Sequence, residues 1–145
     1  MPEPPDPVAL AARALRHRDR SRRQLDERLE RAGIAEDERA DALETLERVG
    51  YVDDGRFAVH RASTLADRGW GDQAIRHLLA SDGVPDALAD AALSGLEPES
   101  ARAERLVARL GASPRTAARL RRKGFGEDTV ERAAGGSFAD TGPEA

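Results

Sequence analysis

Three glycines set the frame of this chain. With Gly33, Gly83 and Gly124 placed in register, Leu29, Leu79 and Leu120 stand four residues upstream, and Ile34, Val84 and Phe125 stand one residue downstream. Leu25 and Ile75 lie eight upstream, with Thr116 the exception, and Ser21, Gly71 and Ala112 lie twelve upstream. Ten residues past each glycine come Leu43, Leu93 and Ala134. Recurrence at intervals of 50 and 41 residues marks a repeat architecture, in which no unit can bury its apolar face without a neighbour. Each unit reads as a helix, a capped helix, a glycine followed by an apolar residue, and a last helix.

Between these landmarks apolar residues recur at three and four and almost never at two, the period of one buried stripe on a helix. Ala11 and Leu15 begin the series, followed by Leu25 and Leu29, then Ala42, Leu43, Leu46 and Val49. The middle of the chain gives Phe57, Ala58, Ala62 and Leu65, then Ile75, Leu78 and Leu79, then Leu88, Ala92 and Leu96. The last third gives Ala103, Leu106, Val107 and Leu110, then Ala117 and Leu120, then Val130, Ala133 and Ala134. The pattern predicts about nine short helices and an all-α fold. Start signals agree. Ser21 and Gln24 form a capping box, Asp53-Asp54 can cap the helix carrying Phe57, and Ser113 precedes a proline suited to the first helical position, a slot Pro85 and Pro98 also suit. Stops fall at Gly33, Gly50, Gly69, Gly83, Gly111 and Gly124, where glycine can take the left-handed turn past a helix end. The expected organisation is three tandem three-helix repeats over residues 8–51, 52–97 and 98–135. Flexible tails are expected over residues 1–7 and 136–145, and the array is expected to be elongated and curved.

The segment Gly50-Tyr51-Val52-Asp53-Asp54-Gly55-Arg56-Phe57-Ala58 resembles the junction between modules in the RecX family, regulators of the bacterial RecA recombinase. Downstream, Arg61, Gly69, the Ile75-Arg76 pair, Leu79 and Gly83-Val84 follow in that family's order. Upstream, Arg18 to Ser21 with Leu25, Leu29 and Gly33-Ile34 resembles its opening, and Leu120 to Phe125 resembles its close. The likeness runs from about residue 8 to 134 and is best in the middle unit. Glu38, Thr116 and Ala134 stand where that family has apolar residues. The resemblance implies a monomeric, non-enzymatic helical array that binds the RecA–DNA filament in its groove. From there it would inhibit ATP hydrolysis, strand exchange and co-protease activity, with roles in DNA repair, recombination and the SOS response.

The residues alone exclude several other functions. With no cysteine there is no disulfide framework, thiol nucleophile or zinc ribbon. His17, His60 and His77 lack metal-ligand spacing, and no Gly-x-Ser-x-Gly elbow, P-loop or GxGxxG is present, so neither an enzyme nor a cofactor is expected. The acidic, proline-rich start is unlike a secretory signal, no run approaches the roughly 20 apolar residues of a membrane span, and a cytoplasmic protein is expected. Asp53-Asp54 reads as a helix cap rather than a carboxylate pair for catalysis or metal. Tyr51, Phe57, Trp70 and Phe125 read as plugs between helices rather than stacking platforms for nucleic acid.

Charge carries the remaining signal. The net charge is only -4, yet residues 101–125 hold eight basic residues (Arg102, Arg105, Arg109, Arg115, Arg119, Arg121, Arg122, Lys123) against one acidic, a local +7. Residues 8–31 hold eight basic and four acidic residues, and residues 35–54 hold eight acidic and two basic. Segregation of this kind points to a partner-binding surface, for an acidic protein face or for the phosphates of DNA, single- or double-stranded. A rival reading makes 113–123 the recognition helix of a helix-turn-helix DNA-binding regulator. Against it, that helix offers no Asn or Gln for bidentate base contacts.

Overall fold

The computed structural model describes residues 5–135, and all regular structure among them is helical. The first module comprises α1 (Pro7–His17), α2 (Arg22–Arg31) and α3 (Glu36–Arg48). The second comprises α4 (Asp54–Asp67), α5 (Asp72–Ser81) and α6 (Asp86–Ser94). The third comprises α7 (Glu99–Leu110), α8 (Pro114–Arg122) and the short α9 (Glu127–Val130), which runs into a π-helical turn over Glu131–Gly135. The expected C-terminal tail and residues 1–4 lie outside the described residues. Asp6 and Pro7, which the composition assigns to a flexible start, instead open α1: the Asp6 carboxylate accepts from the Val8 amide and Pro7 fills a first-turn position.

The glycine register encodes one local device three times. Past α2, α5 and α8, the amides of Ile34, Val84 and Phe125 donate to the carbonyls of Leu29, Leu79 and Leu120 at 3.0–3.1 Å. The amides of Gly33, Gly83 and Gly124 donate to those of Glu30, Ala80 and Arg121. This pair of bonds is the Schellman closure of a helix end, which needs a left-handed residue, and the three glycines have φ of +84°, +90° and +86°. The apolar residue after each glycine then turns back under the helix, and Ile34, Val84 and Phe125 are all buried in their own module's core. Contrary to the sharing of apolar faces that the repeat pattern implies, each module has its own core: Leu25, Leu29, Leu43 and Leu46 in the first, Phe57, Leu65, Ile75 and Leu79 in the second, and Ala103, Leu120, Phe125 and Val130 in the third.

Adjacent modules meet through a joint with the same plan at both places. The carbonyl end of the second helix in one module abuts the amide end of the second helix in the module before it. At the first joint, the Ser21 hydroxyl donates to the Asp82 carbonyl, and Arg23 donates to the carbonyls of Ala80 and Ser81. The Asp82 carboxylate receives Gln24 at 3.2 Å and Arg61 at 3.1 Å. At the second joint the backbones touch directly: the Gly71 amide donates to the Lys123 carbonyl at 2.7 Å and the Gln73 amide to the Gly124 carbonyl at 3.1 Å. A Cβ on Gly71 would stand 2.5 Å from the Gly124 carbonyl carbon, and one on Gly124 would stand 2.7 Å from the Ala74 nitrogen. A carboxylate completes each joint. Asp54, first residue of α4, accepts from the Arg22 amide at 2.8 Å, and Glu99, first residue of α7, accepts from the Asp72 amide at 3.1 Å. Among the described residues no hydrogen bond links the first module to the third, so the three are joined in series.

Several details depart from the sequence reading. Pro85 and Pro98 occupy the N-cap positions of α6 and α7, one residue before the slot expected of them. Asp53 caps α4 through the Arg56 amide at 3.0 Å, but Asp54 reaches across to α2. Val49 and Leu110 fall at or next to helix ends and point outward, although the spacing places them on buried stripes. Tyr51 is 61% exposed; the left-handed turn at Gly50 carries the chain past it and seats Val52 in the core instead.

Three substitutions separate these contributions in urea denaturation. Leu79→Ala is expected to cost about 2–5 kcal/mol through the cavity it leaves. Gly33→Ala, where no atom lies within 4 Å of the new Cβ, is expected to lose only the left-handed strain of about 1–2 kcal/mol. Gly124→Ala bears the same strain plus about 1–3 kcal/mol of overpacking against Ala74. Equal losses for Gly33→Ala and Gly124→Ala would show that the second joint is not tightly packed.

Candidate partner-binding clefts

The joints hold the modules apart on one side, and two clefts open there. One, of about 500 Å³, lies between the second and third modules. Its lining includes Arg68 from just past α4, Arg105 and Arg109 from α7, and Arg119 and Lys123 from α8, with Asp67 and Glu97 as the acidic members. Leu96 and Leu106, both half-buried, and Ala66 contribute apolar surface. The other cleft, of about 450 Å³, lies between the first and second modules and is lined by Arg18, His60, Arg61 and Arg68, with Asp19 and Asp82. Arg68 borders both, so the two clefts are neighbours along one side of the array.

The eight basic residues of the charged segment do not form one surface in space. Arg102 is a joint residue: it is only 8% exposed, donates to the Trp70 carbonyl at 2.9 Å and the Glu97 carbonyl at 3.0 Å, and pairs with Asp72. Although it lines the larger cleft, its donors face the joint, and it is not a free surface cation. Arg121 is held by Glu127 through Nε and Nη2 at 2.9–3.2 Å. That hydrogen bond holds the Glu127 carboxyl below the usual carboxylate range. Arg105 pairs with Glu97 at the rim of the larger cleft. Arg109, Arg119 and Lys123 line that cleft with no carboxylate partner among the described residues. The Lys123 ammonium lies 4.0 Å from the centre of the Trp70 ring, a cation–π contact. Arg115 and Arg122 are exposed outside both clefts.

The residues of the Gly50–Phe57 segment and those that follow it in order hold the fold. Arg56 closes the turn by donating to the carbonyls of Gly50 and Tyr51 at 3.0 and 3.3 Å. Phe57 and Ile75 are buried in the second core, Gly69 turns with φ +89°, and Arg76 pairs with Asp90 on the surface. Arg61 belongs to both descriptions, since it lines the smaller cleft while fixing Asp82. His17, His60 and His77 are exposed and far apart in sequence, and no group of three His, Asp or Glu among the described residues could hold a metal. No described helix is long and apolar enough to cross a membrane.

Charge counting along the chain passed over Arg18 and Arg68 as partner-facing cations. Each belongs to a different sequence segment from the third-module run, and only the joint between the second and third modules brings Arg68 to it. Glu99 was equally hidden. One of its carboxylate oxygens accepts from the amides of Asp72 and Gly126 at 3.1 and 3.2 Å, and the other accepts from the Thr129 hydroxyl at 2.8 Å.

The division into joint and cleft cations is testable by thermal and urea unfolding. Arg102→Ala leaves Asp72 and two part-buried carbonyls without their donor and is expected to cost about 2–3 kcal/mol. Arg109→Ala, at an exposed and unpaired site, is expected to stay within about 0.5 kcal/mol of the parent. Similar losses for both would place Arg109 in the structural frame.

Comparison with known proteins follows the same outline. The family model described as "RecX, second three-helix domain" matches residues 53–93, the segment from the α4 cap to the end of α6. A Regulatory protein RecX from Streptomyces coelicolor is 38% identical over 148 residues, covering 90% of this chain and 79% of its own. The Chromohalobacter salexigens protein of the same name is 35% identical over 140 residues, covering 90% and 92%. The crystal structure of RecX from Lactobacillus salivarius superposes with a TM-score of 0.77 at 20% identity, over 92% of this chain and 95% of that one. With a repeat of three-helix modules and relatives that match along nearly its whole length, the chain belongs to the RecX family of regulatory proteins.

Proposed function

We propose that this protein binds the RecA–DNA filament and modulates RecA, mainly by inhibiting ATP hydrolysis, strand exchange and co-protease activity. In this reading it is a non-enzymatic, cytoplasmic protein of DNA repair and recombination. The observation that carries the reading is the serial array itself, three modules of one plan joined end to end with cation-lined clefts at both joints. Each module can offer a modest contact, and linked modest contacts sum through effective concentration. A repeating filament is the kind of partner against which such an array can use every module at once. A ligand that prefers one filament state shifts the filament toward it by its differential affinity.

The structure weakens the helix-turn-helix alternative. Arg119 of α8 and Lys123 just past it line an intramolecular cleft and Arg121 is tied to Glu127, so the helix does not present its basic residues as one free face to a DNA groove.

The reading is checked by adding the protein to RecA on single-stranded DNA. Inhibition of ATP hydrolysis and strand exchange is expected at or below one protein per RecA, together with co-sedimentation with filaments. If saturating protein leaves both activities unchanged and stays in the supernatant, the reading fails. Binding to bare DNA is expected to be weak. If five cations act through phosphates alone, affinity should fall about a hundredfold between roughly 50 and 200 mM salt, whereas binding to RecA-coated DNA should fall less.

A further inference from the structure

The cleft between the second and third modules combines two features that one partner chemistry satisfies. Arg68, Arg109, Arg119 and Lys123 converge on it from three elements, none of them in an ion pair among the described residues; the acidic members of the lining are Asp67 and Glu97, and Glu97 is paired with Arg105 at the rim. Between these charges lie the half-buried Leu96 and Leu106. We propose that this cleft is a docking site for a short acidic peptide segment of a protein partner, carrying carboxylates for the cationic rim and an apolar side chain for the leucines. The proposal extends the filament reading to the chemistry of one contact, and it is tested without a filament, so the two can fail separately.

Carboxylates suit the rim because guanidinium groups hold them through paired N–H donors. A carboxylate already sits at this rim, where Glu97 accepts a single hydrogen bond from Arg105 Nη2 while its side chain stays 40% exposed. The volume of about 500 Å³ lies in the range of sites that enclose a ligand of a few residues. Single-stranded nucleic acid fits less well. Its bases need open aromatic faces, but the Trp70 ring is covered by Lys123, and Phe125, at 3% exposure, lies under Arg102 with 5.9 Å between guanidinium and ring centre. A phosphate backbone would also leave Leu96 and Leu106 without an apolar partner.

Trp70 is the only tryptophan, and the lysine stacked on it lines the cleft, so occupancy should register in its fluorescence. The full chain is titrated with a short glutamate peptide bearing one central leucine, an all-glutamate peptide of equal length, and oligothymidine. A saturable change is expected with the leucine peptide, about tenfold tighter than with the other two. Charge reversal at Arg109→Glu together with Arg119→Glu should weaken that binding about thirtyfold or more, while Arg115→Glu, outside the cleft, should leave it within about twofold. Circular dichroism checks that the variants fold, and Arg109→Gln with Arg119→Gln replaces the reversal if that variant does not. The proposal is overturned by no saturable response to the leucine peptide, by equal affinity for the two glutamate peptides, by tighter binding of oligothymidine, or by indifference to the cleft substitutions.

Discussion

The contact on which the rest depends is the one between the end of a second helix and the start of the second helix before it. A helix leaves its last carbonyls and its first amides without intrahelical partners, and the two joints bring these groups together. Lys123 and Gly124 offer carbonyls to the amides of Gly71 and Gln73, while the Asp82 carbonyl meets the Ser21 hydroxyl. The alignment also sets the negative end of one helix dipole against the positive end of the next, and Asp54 and Glu99 add a carboxylate at the same positive end. At the second joint the contact is made by fixed backbone atoms, so the placement of those two modules is set by backbone geometry, whereas at the first it rests on the side chains of Ser21, Arg23, Gln24 and Arg61. The clefts, and the convergence of cations on them, follow from that placement.

The two joints solve the problem differently. Ser21 uses its amide within its own capping box, where it donates to Gln24 at 3.0 Å, so its hydroxyl must make the contact across the joint. Gly71 has no side chain, and its amide makes the contact directly, which draws the backbones close enough to require glycine on both sides. The first joint is therefore rich in side-chain hydrogen bonds around Asp82 and the second is dense and backbone-to-backbone. Arg102 braces the second from outside, touching the Trp70 carbonyl, the Asp72 carboxylate and the Phe125 ring.

The helical frame was legible because its signals are local. The Gly-apolar pairs encode a helix closure within six residues, and all six glycines named as stops are the glycines with positive φ. The Ser21–Gln24 capping box is present as its spacing implies. What escaped depends on which elements meet. Nothing in the spacing of Arg102 distinguishes it from Arg109, since both lie on α7 in a basic run. One faces a joint with Asp72 across from it, and the other faces a cleft. Tyr51 was misjudged because a large side chain beside a glycine suggests a plug, whereas the direction of the turn gives the buried place to Val52. Asp54 carries the same ambiguity, for an acidic pair at a helix start does not say which helix each carboxylate serves.

The joint has a direction: each module gives carbonyls, and the module before it receives them at its helix start. A contact of that kind has different surfaces on its two sides, and such contacts propagate into rings or open fibres unless something stops them. At the start of α8 the position corresponding to Arg22 and Asp72 is Pro114, which has no amide hydrogen to offer the carboxylate of a following unit. Ser113 is meanwhile turned inward to Thr116, accepting from its amide at 3.0 Å. A second copy presenting its own helix end would thus find no amide at Pro114 for its carboxylate, so the open end of the series lacks one hydrogen bond that both internal joints make.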